Sequence, residues 1–311
     1  MATYVDQALE FHKAGRSASP RVKPVLQYYA YLNLSVAVVL AYQPPNYDEH
    51  RHHGVHDATH EIKKLELASP VVRLARKEGA IGLFHSVLAD SPLPATRHLR
   101  LKELMVPIPM LEAELGWYYN VHAGTLHVTE QIVDHGEEPF ASEVRFSWSP
   151  PPGVPVEPSR FPRKKIEMAM PILARRYDYR VLQGGRFAYR SKQTWARNKA
   201  GRRDAWAWHR ECCFKVINFG SQIDVPGSAS RYRWRYLPRM PMLPTMTASL
   251  LLAFALASLF RYRPLLAKQL DDSELNVLID VFINEADGFM IPTFRNLLFA
   301  QELTFESVAS L

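Results

Sequence analysis

The sequence predicts an α+β protein, with a helical core built from the N- and C-terminal parts of the chain and a basic, β-rich insertion in the middle. Three observations carry this expectation. Long apolar runs with helical spacing occupy both ends, and short alternating runs rich in Val, Ile, Thr, Phe and Trp fill the middle. The charge divides along the same lines. Residues 160–239 hold twenty Lys and Arg against five Asp and Glu, a net of about +15, while the other 231 positions hold eighteen basic and twenty-six acidic residues, about −8. The expected organisation is an N-terminal helical part at 1–110, a basic β-rich insertion at 111–240 and a C-terminal helical part at 241–311.

Taken in order, Pro24 to Tyr42 is apolar on most of its circumference, as a central helix would be, and Pro44-Pro45 stops it. Helices are also expected over Ala58 to Leu67 and Val71 to Leu88, the latter ended by Pro92 and Pro94, with a short turn at Leu99 to Leu104. After Gly116 the segments LHVTEQIV, EVRFSWS and KIEMAMPIL have the composition of strands. The proline-rich stretch from Pro150 to Pro162 predicts an extended connector. YDYRVL and RFAYRSK flank Gln183-Gly184-Gly185, a hairpin signal. RYRWRYL alternates strictly, so that Arg231, Arg233 and Arg235 fall on one face of a strand and Tyr232, Trp234 and Tyr236 on the other. Helical patterns return at Thr245 to Phe260, Ser273 to Asp287 and Pro292 to Phe305.

The run from Met242 to Phe260 approaches bilayer length, but Thr245, Thr247, Ser249 and Ser258 dilute it and Arg261 and Arg263 close it. A core helix is therefore expected, and no membrane partner. The two cysteines, Cys212 and Cys213, are adjacent inside a strand-like run and supply no disulfide framework. The opening Met1-Ala2-Thr3-Tyr4, with Asp6, Glu10 and His12 close behind, lacks the pattern of a secretory signal, and a cytoplasmic location is expected. Phosphate loops, dinucleotide fingerprints, nucleophile elbows and paired C-x-x-C motifs do not occur, which removes the usual support for nucleotide hydrolysis, Rossmann chemistry, serine hydrolysis and zinc-finger readout. No cofactor is expected.

The basic segment carries thirteen aromatic residues, including four of the six tryptophans. Cations interleaved with rings suit phosphates and bases, so RNA or DNA is the expected partner. The contacts are assigned to an exposed loop holding Arg197, Lys199, Arg202 and Arg203, to Arg231, Arg233 and Arg235, and to Trp195 and Trp206 as stacking surfaces. An acidic protein is the alternative partner, which the same field would attract.

The stretch Tyr28-Tyr29-Ala30-Tyr31-Leu32-Asn33-Leu34-Ser35-Val36-Ala37 resembles the first core helix of HEPN-type domains, and His52-His53-Gly54-Val55 is similar to the His-x-Gly-Val that follows it there. Together with SLFRYRP, residues 258 to 264, these motifs resemble the YaaC-like family of bacterial proteins over about 80 residues at the two ends of the chain. The resemblance implies an all-helical, HEPN-like core. It also implies one of two roles: a metal-independent ribonuclease, of the sort found in defence and stress systems and working as a homodimer, or a catalytically silent scaffold.

Five histidines, His50, His52, His53, His56 and His60, crowd the segment after the first apolar helix, and three readings of them stay open. Arg51 and His56 have the Arg-to-His spacing of HEPN ribonucleases: His56, with His53 beside it, would move the proton of an attacking 2′-hydroxyl, and Arg51 would stabilise charge on the phosphate. His52, His56 and His60 have the i, i+4, i+8 spacing of a metal site on a helix. The third reading is a solvated loop turned by His53-Gly54.

Overall fold

The chain begins with α1 (Ala2–Arg16) and α2 (Lys23–Tyr42), two helices packed on each other. The computed structural model describes residues 1–43, 52–74, 79–93, 98–133, 139–182, 186–222, 232–237 and 240–309. They fall into two compact units: Met1–Val87, Pro92–Asn120 and Met246–Leu311 form the first, Leu88–Ser91 and Val121–Thr245 the second.

In the first unit, α2 buries Tyr28, Ala30, Tyr31, Leu34 and the run Val36–Val39, so the sequence's nearly continuous apolar stretch becomes a helix with core on several sides. Its polar atoms are matched to a distant helix, α11 (Glu274–Ala309): Gln27 Nε2 donates to the Ile283 carbonyl at 2.7 Å, Tyr31 Oη to Asp287 Oδ1 at 2.5 Å, and Tyr42 Oη to the Leu297 carbonyl at 2.9 Å. Three antiparallel strands, β1 (Val55–Asp57), β2 (Pro70–Leu74) and β3 (His98–Arg100), pair in that order. The helices α3 (Ala80–Ala89), α4 (Leu101–Met105) and α5 (Glu112–Tyr119) follow in sequence around them, and α9 (Thr245–Tyr262), α10 (Pro264–Lys268) and α11 end the chain. The helices α2 and α9 are long and apolar enough to cross a membrane; 83% of the apolar stretch of α9 is buried inside the protein, and 56% of that of α2.

Three expectations are corrected here. The helix expected over Ala58 to Leu67 is absent: the Asp57 carboxylate accepts from both the N–H and the hydroxyl of Thr59, at 2.8 and 2.7 Å, which ends β1 and starts a single 3-10 turn, Thr59–Glu61. The helix expected over Val71 to Leu88 is divided at Gly79 into β2 and α3, because Val71, Val72 and Leu74 bury themselves through partners on β1 and β3. The all-helical core implied by the HEPN resemblance is accordingly replaced by a mixed one. A fourth difference lies in α11, where Pro292 sits inside one continuous helix. Met290, Phe294 and Leu297, on both sides of it, are fully buried, and their packing outweighs the hydrogen bond that the proline removes.

The second unit is built on a six-stranded antiparallel sheet of β4 (Gly124–Val133), β5 (Ala141–Ser149), β6 (Tyr177–Val181), β7 (Arg186–Ser191), β8 (Ser221–Gln222) and β9 (Tyr232–Tyr236), in the order β6-β7-β5-β4-β9-β8. Alternation puts Leu126, Val128, Val144, Phe146, Trp148, Phe187, Tyr189 and Trp234 on one face, where they form a core with residues of α6 (Arg163–Ala169), α7 (Pro171–Arg176) and α8 (Lys199–Phe219). The expected strand KIEMAMPIL is thus two short helices. Pro171 opens the second of them, at a position where the missing N–H costs nothing, and Ile166, Met170, Ile172 and Leu173 face the sheet core.

Candidate nucleic-acid interface

The helix α8 stands where a loop and a strand were expected. Asn198 caps it, its side-chain oxygen accepting from the Gly201 N–H at 2.7 Å, and residue 201 has no room for a side chain, since a Cβ there would lie 2.1 Å from the Ala196 carbonyl oxygen. Ala205, His209, Cys212, Val216 and Phe219, at i, i+4, i+7, i+11 and i+14, are all buried and form the stripe that meets the sheet. His209 Nδ1 and Ser142 Oγ on β5 are 2.7 Å apart, and burial lowers the imidazole pKa to about 4, so the ring is held neutral. Burial likewise raises the Cys212 pKa, against the opposing effect of Arg176, which donates to the sulfur at 3.2 Å. A buried, protonated thiol inside a helix is a packing residue.

The C-terminal half of α8 is tied down by charge: Arg176 pairs with Glu211 at 3.1 Å, and Lys215 shares Asp90 with Arg175. Its N-terminal half is more basic and more loosely paired. Lys199, Arg202, Arg203 and Arg210 are exposed there, with Arg197 just ahead of the cap, and the one carboxylate among them, Asp204, forms a solvent-exposed pair with Arg203 at 3.7 Å; Trp206 is 45% exposed. At 100° per residue, Lys199, Arg203, Trp206 and Arg210 fall within about 60° of the helix circumference, over about 16 Å of its length, while Asp204 and Glu211 lie more than about 80° away.

The face of the sheet opposite its core carries Arg145, Arg180, Arg186, Arg190, Arg233 and Arg235 against Glu143 and Asp178, but Arg235 and Glu143 are buried there and Arg145, Arg190 and Arg233 are half-buried. Arg145 pairs with Glu143. Arg180 and Arg186, on the β6–β7 edge, are solvent-exposed.

The expected contact residues thus divide. Lys199, Arg202, Arg203 and Trp206 come together on α8, on a helix rather than on the expected loop, and Arg197 lies in the segment just before it. Trp195 does not join them: it is 8% exposed, its backbone bridges to Phe140, and its ring packs with Trp208 and Ala205, so it is corrected from stacking surface to core. Arg235 is 4% exposed and Arg233 is half-buried, so Arg235 is corrected from contact residue to buried residue. Arg231 lies outside the described residues. The missed residue is Arg210, and the missed signal is the 205, 209, 212, 216, 219 spacing, which identifies both the helix and the side it presents.

Of the proposed catalytic residues, Arg51 lies outside the described residues. His53 is half-buried, with Nδ1 2.6 Å from the Tyr28 hydroxyl and its ring edge-on to Phe254, and burial lowers its pKa. His56 is exposed on β1 opposite Arg73. His60 lies in the following 3-10 turn, its carbonyl accepting from Arg263 at 3.2 Å, so His52, His56 and His60 do not share a helix face, and among the described residues no group of three His, Cys, Asp or Glu is placed to hold a metal. The SLFRYRP motif ends α9 and begins α10; its Tyr262, Arg263 and Pro264 line a cleft of about 480 Å³ with Ile62, Lys63 and Leu265.

Fold and surface together define a mixed α+β protein whose sheet-bearing unit displays its basic charge on one helix and one sheet face. The sequence model of the YaaC-like protein family matches residues 1–291, and the chain belongs to that family. The match extends beyond the terminal motifs and runs through the basic segment. No curated protein and no solved structure matches the chain.

Proposed function

We propose that this protein binds nucleic acid through the basic surface of its second unit, with α8 as the principal contact. The observation that carries the reading is the charge of the first turns of α8. No acidic residue lies in the first turn, where Lys199, Arg202 and Arg203 cluster instead. The N-terminus of a helix is the positive end of its macrodipole, so each cation there destabilises the helix by about 0.3–1 kcal/mol. A polyanion lying along the stripe reverses that sign, and each phosphate it contributes releases counterions. In this reading the protein works in the cytoplasm, where RNA and DNA are at hand.

The proposal stops at binding. Of the three residues assigned to ribonuclease chemistry, His53 is engaged with Tyr28 and only His56 has an exposed, described side chain. A HEPN-like character of the first unit, and a defence or stress role, rest on the resemblance of Tyr28-Tyr29 and His53-Gly54-Val55 alone. Fluorescence anisotropy with labelled RNA and DNA tests the reading. Affinity is expected to fall steeply with salt, and Lys199→Glu/Arg203→Glu/Arg210→Glu is expected to weaken it by more than about tenfold with a thermal melt no lower than that of the wild type. Undetectable binding in low salt, or equal binding by the reversed variant, overturns it. An acidic protein recovered as the sole partner, with no nucleic acid, would transfer the same surface to the docking alternative.

A further inference from the structure

We infer that the α8 stripe is specific for single-stranded nucleic acid, with one unpaired base stacked on Trp206 and the phosphates to either side held by Arg203 and Arg210; this rests on the nucleic-acid reading above. Trp206 is set apart from the other tryptophans of the basic segment by its environment. Trp195 and Trp234 are 8% and 1% exposed, and Trp208 is partly buried between Trp195 and Tyr177, with ring centroids 5.2 and 5.4 Å away. Of the four tryptophans of the basic segment Trp206 is the exposed one, at 45%. Its orientation is set from beneath: His209 packs at 88° to it with centroids 5.6 Å apart, and His209 is itself held by Ser142. An exposed indole braced by a buried, hydrogen-bonded ring is a preorganised stacking surface.

The cations are spaced to match. Arg203 lies three residues before Trp206 and Arg210 four after, which puts them on the same helix face, one turn to each side. Lys199 extends the line by another turn, and neither carboxylate of this part of α8 falls on it; Asp204 reaches Arg203 from the side at 3.7 Å, a solvent-exposed pair weak enough for a phosphate to displace.

Electrostatics alone would select the opposite substrate. A duplex carries one charge per about 1.7 Å of axis, twice the density of either of its strands, so a purely cationic stripe favours duplex. Stacking on Trp206 is available only to a base already free of its pair, and one such contact changes affinity by about 5- to 150-fold. That is enough to invert the order, and the preference therefore depends on a single side chain.

Full-length protein is titrated with fluorescein-labelled oligo(dT), oligo(U) and a duplex of the same length. The single strands are expected to bind more tightly than the duplex. Trp206→Ala should weaken single-strand binding at least about fivefold and duplex binding less than about twofold, and Trp206→Phe should recover most of the loss. Trp206→Gln serves if the alanine variant melts early. Tighter or equal binding of the duplex, or indifference of single-strand binding to Trp206→Ala, overturns the inference while leaving nucleic-acid binding in place. Absence of binding to all three probes overturns both.

Discussion

Gly79 stands so close to Gly54 that a Cβ on Gly79 would lie 2.2 Å from the Gly54 Cα, and Gly54 is itself held at φ 77°. The crossing joins the histidine segment to the start of α3, where the N–H groups of Ala80 and Ile81 donate to the carbonyls of His52 and His53 at 2.9 and 3.3 Å. A backbone-on-backbone contact cannot relax by turning a side chain. Gly79→Ala is expected to destabilise the protein by about 1–3 kcal/mol, and Gly54→Ala by about 1–2 kcal/mol through its left-handed φ. Gly288→Ala, where an added Cβ meets nothing within 4 Å, should stabilise by about 0.5–1 kcal/mol. Urea unfolding midpoints of the three variants check the order.

The Tyr28–His53 bond is a structural link between α2 and that same crossing. Burial raises the Tyr28 pKa and lowers that of His53, so a protonated phenol faces a neutral imidazole, Oη and Nδ1 2.6 Å apart. Tyr28→Phe strips His53 of this partner and should cost about 1–3 kcal/mol. His53→Ala should cost a similar amount, and the double variant less than the sum. A double-mutant cycle by chemical denaturation measures the coupling, and strict additivity would contradict it.

Asp90 combines a left-handed backbone, φ 57°, with two cationic partners, Arg175 and Lys215. Asp90→Asn removes the charge but keeps a side chain that tolerates that conformation. Asp90→Ala loses both. The alanine variant is expected to be less stable than the asparagine one by about 1 kcal/mol, with Asp90→Gly falling close to asparagine. Thermal melts in matched buffer distinguish the three.

Burial lowers the pKa of His85 and of His209 to about 4. Unfolded, both titrate near 6.5, so between about pH 6.5 and 4 the unfolded chain binds more protons and stability falls as pH falls. The contribution is fully present above pH 6.5. The melting temperature should drop steeply from pH 7 to pH 5, and His85→Leu together with His209→Gln should flatten that dependence. A wild-type melt unchanged over the window would contradict the burial of these rings as neutral groups.

The helices α2 and α9 were legible because each is a nearly continuous apolar run of eighteen residues or more, far longer than a strand. The strands β4, β5, β7 and β9 were legible because theirs alternate. The basic character of residues 160–239 needed only counting. What local pattern could not settle was every element whose burial comes from far away in sequence. The three-residue strands β1 and β3 have too few positions to show a period and exist because β2 pairs with both. The helix α8 has a clear buried stripe, but Ala205, His209 and Cys212 fill it, so its hydropathy signal is weak until the sheet core, which accepts small and neutral groups, is in place beneath it. The same packing decided which cations and rings face solvent. Alternation along 231–237 allots Arg235 to a polar face, yet Arg235 is 4% exposed; Trp195 and Trp206 are eleven residues apart, and the backbone bridge to Phe140 ahead of α8 makes one core while the turn of α8 about its axis makes the other surface. Composition determined that a basic, aromatic-rich region exists, whereas its contact surface is a property of side-chain direction, which a chain acquires only when non-local partners fix each element's rotation.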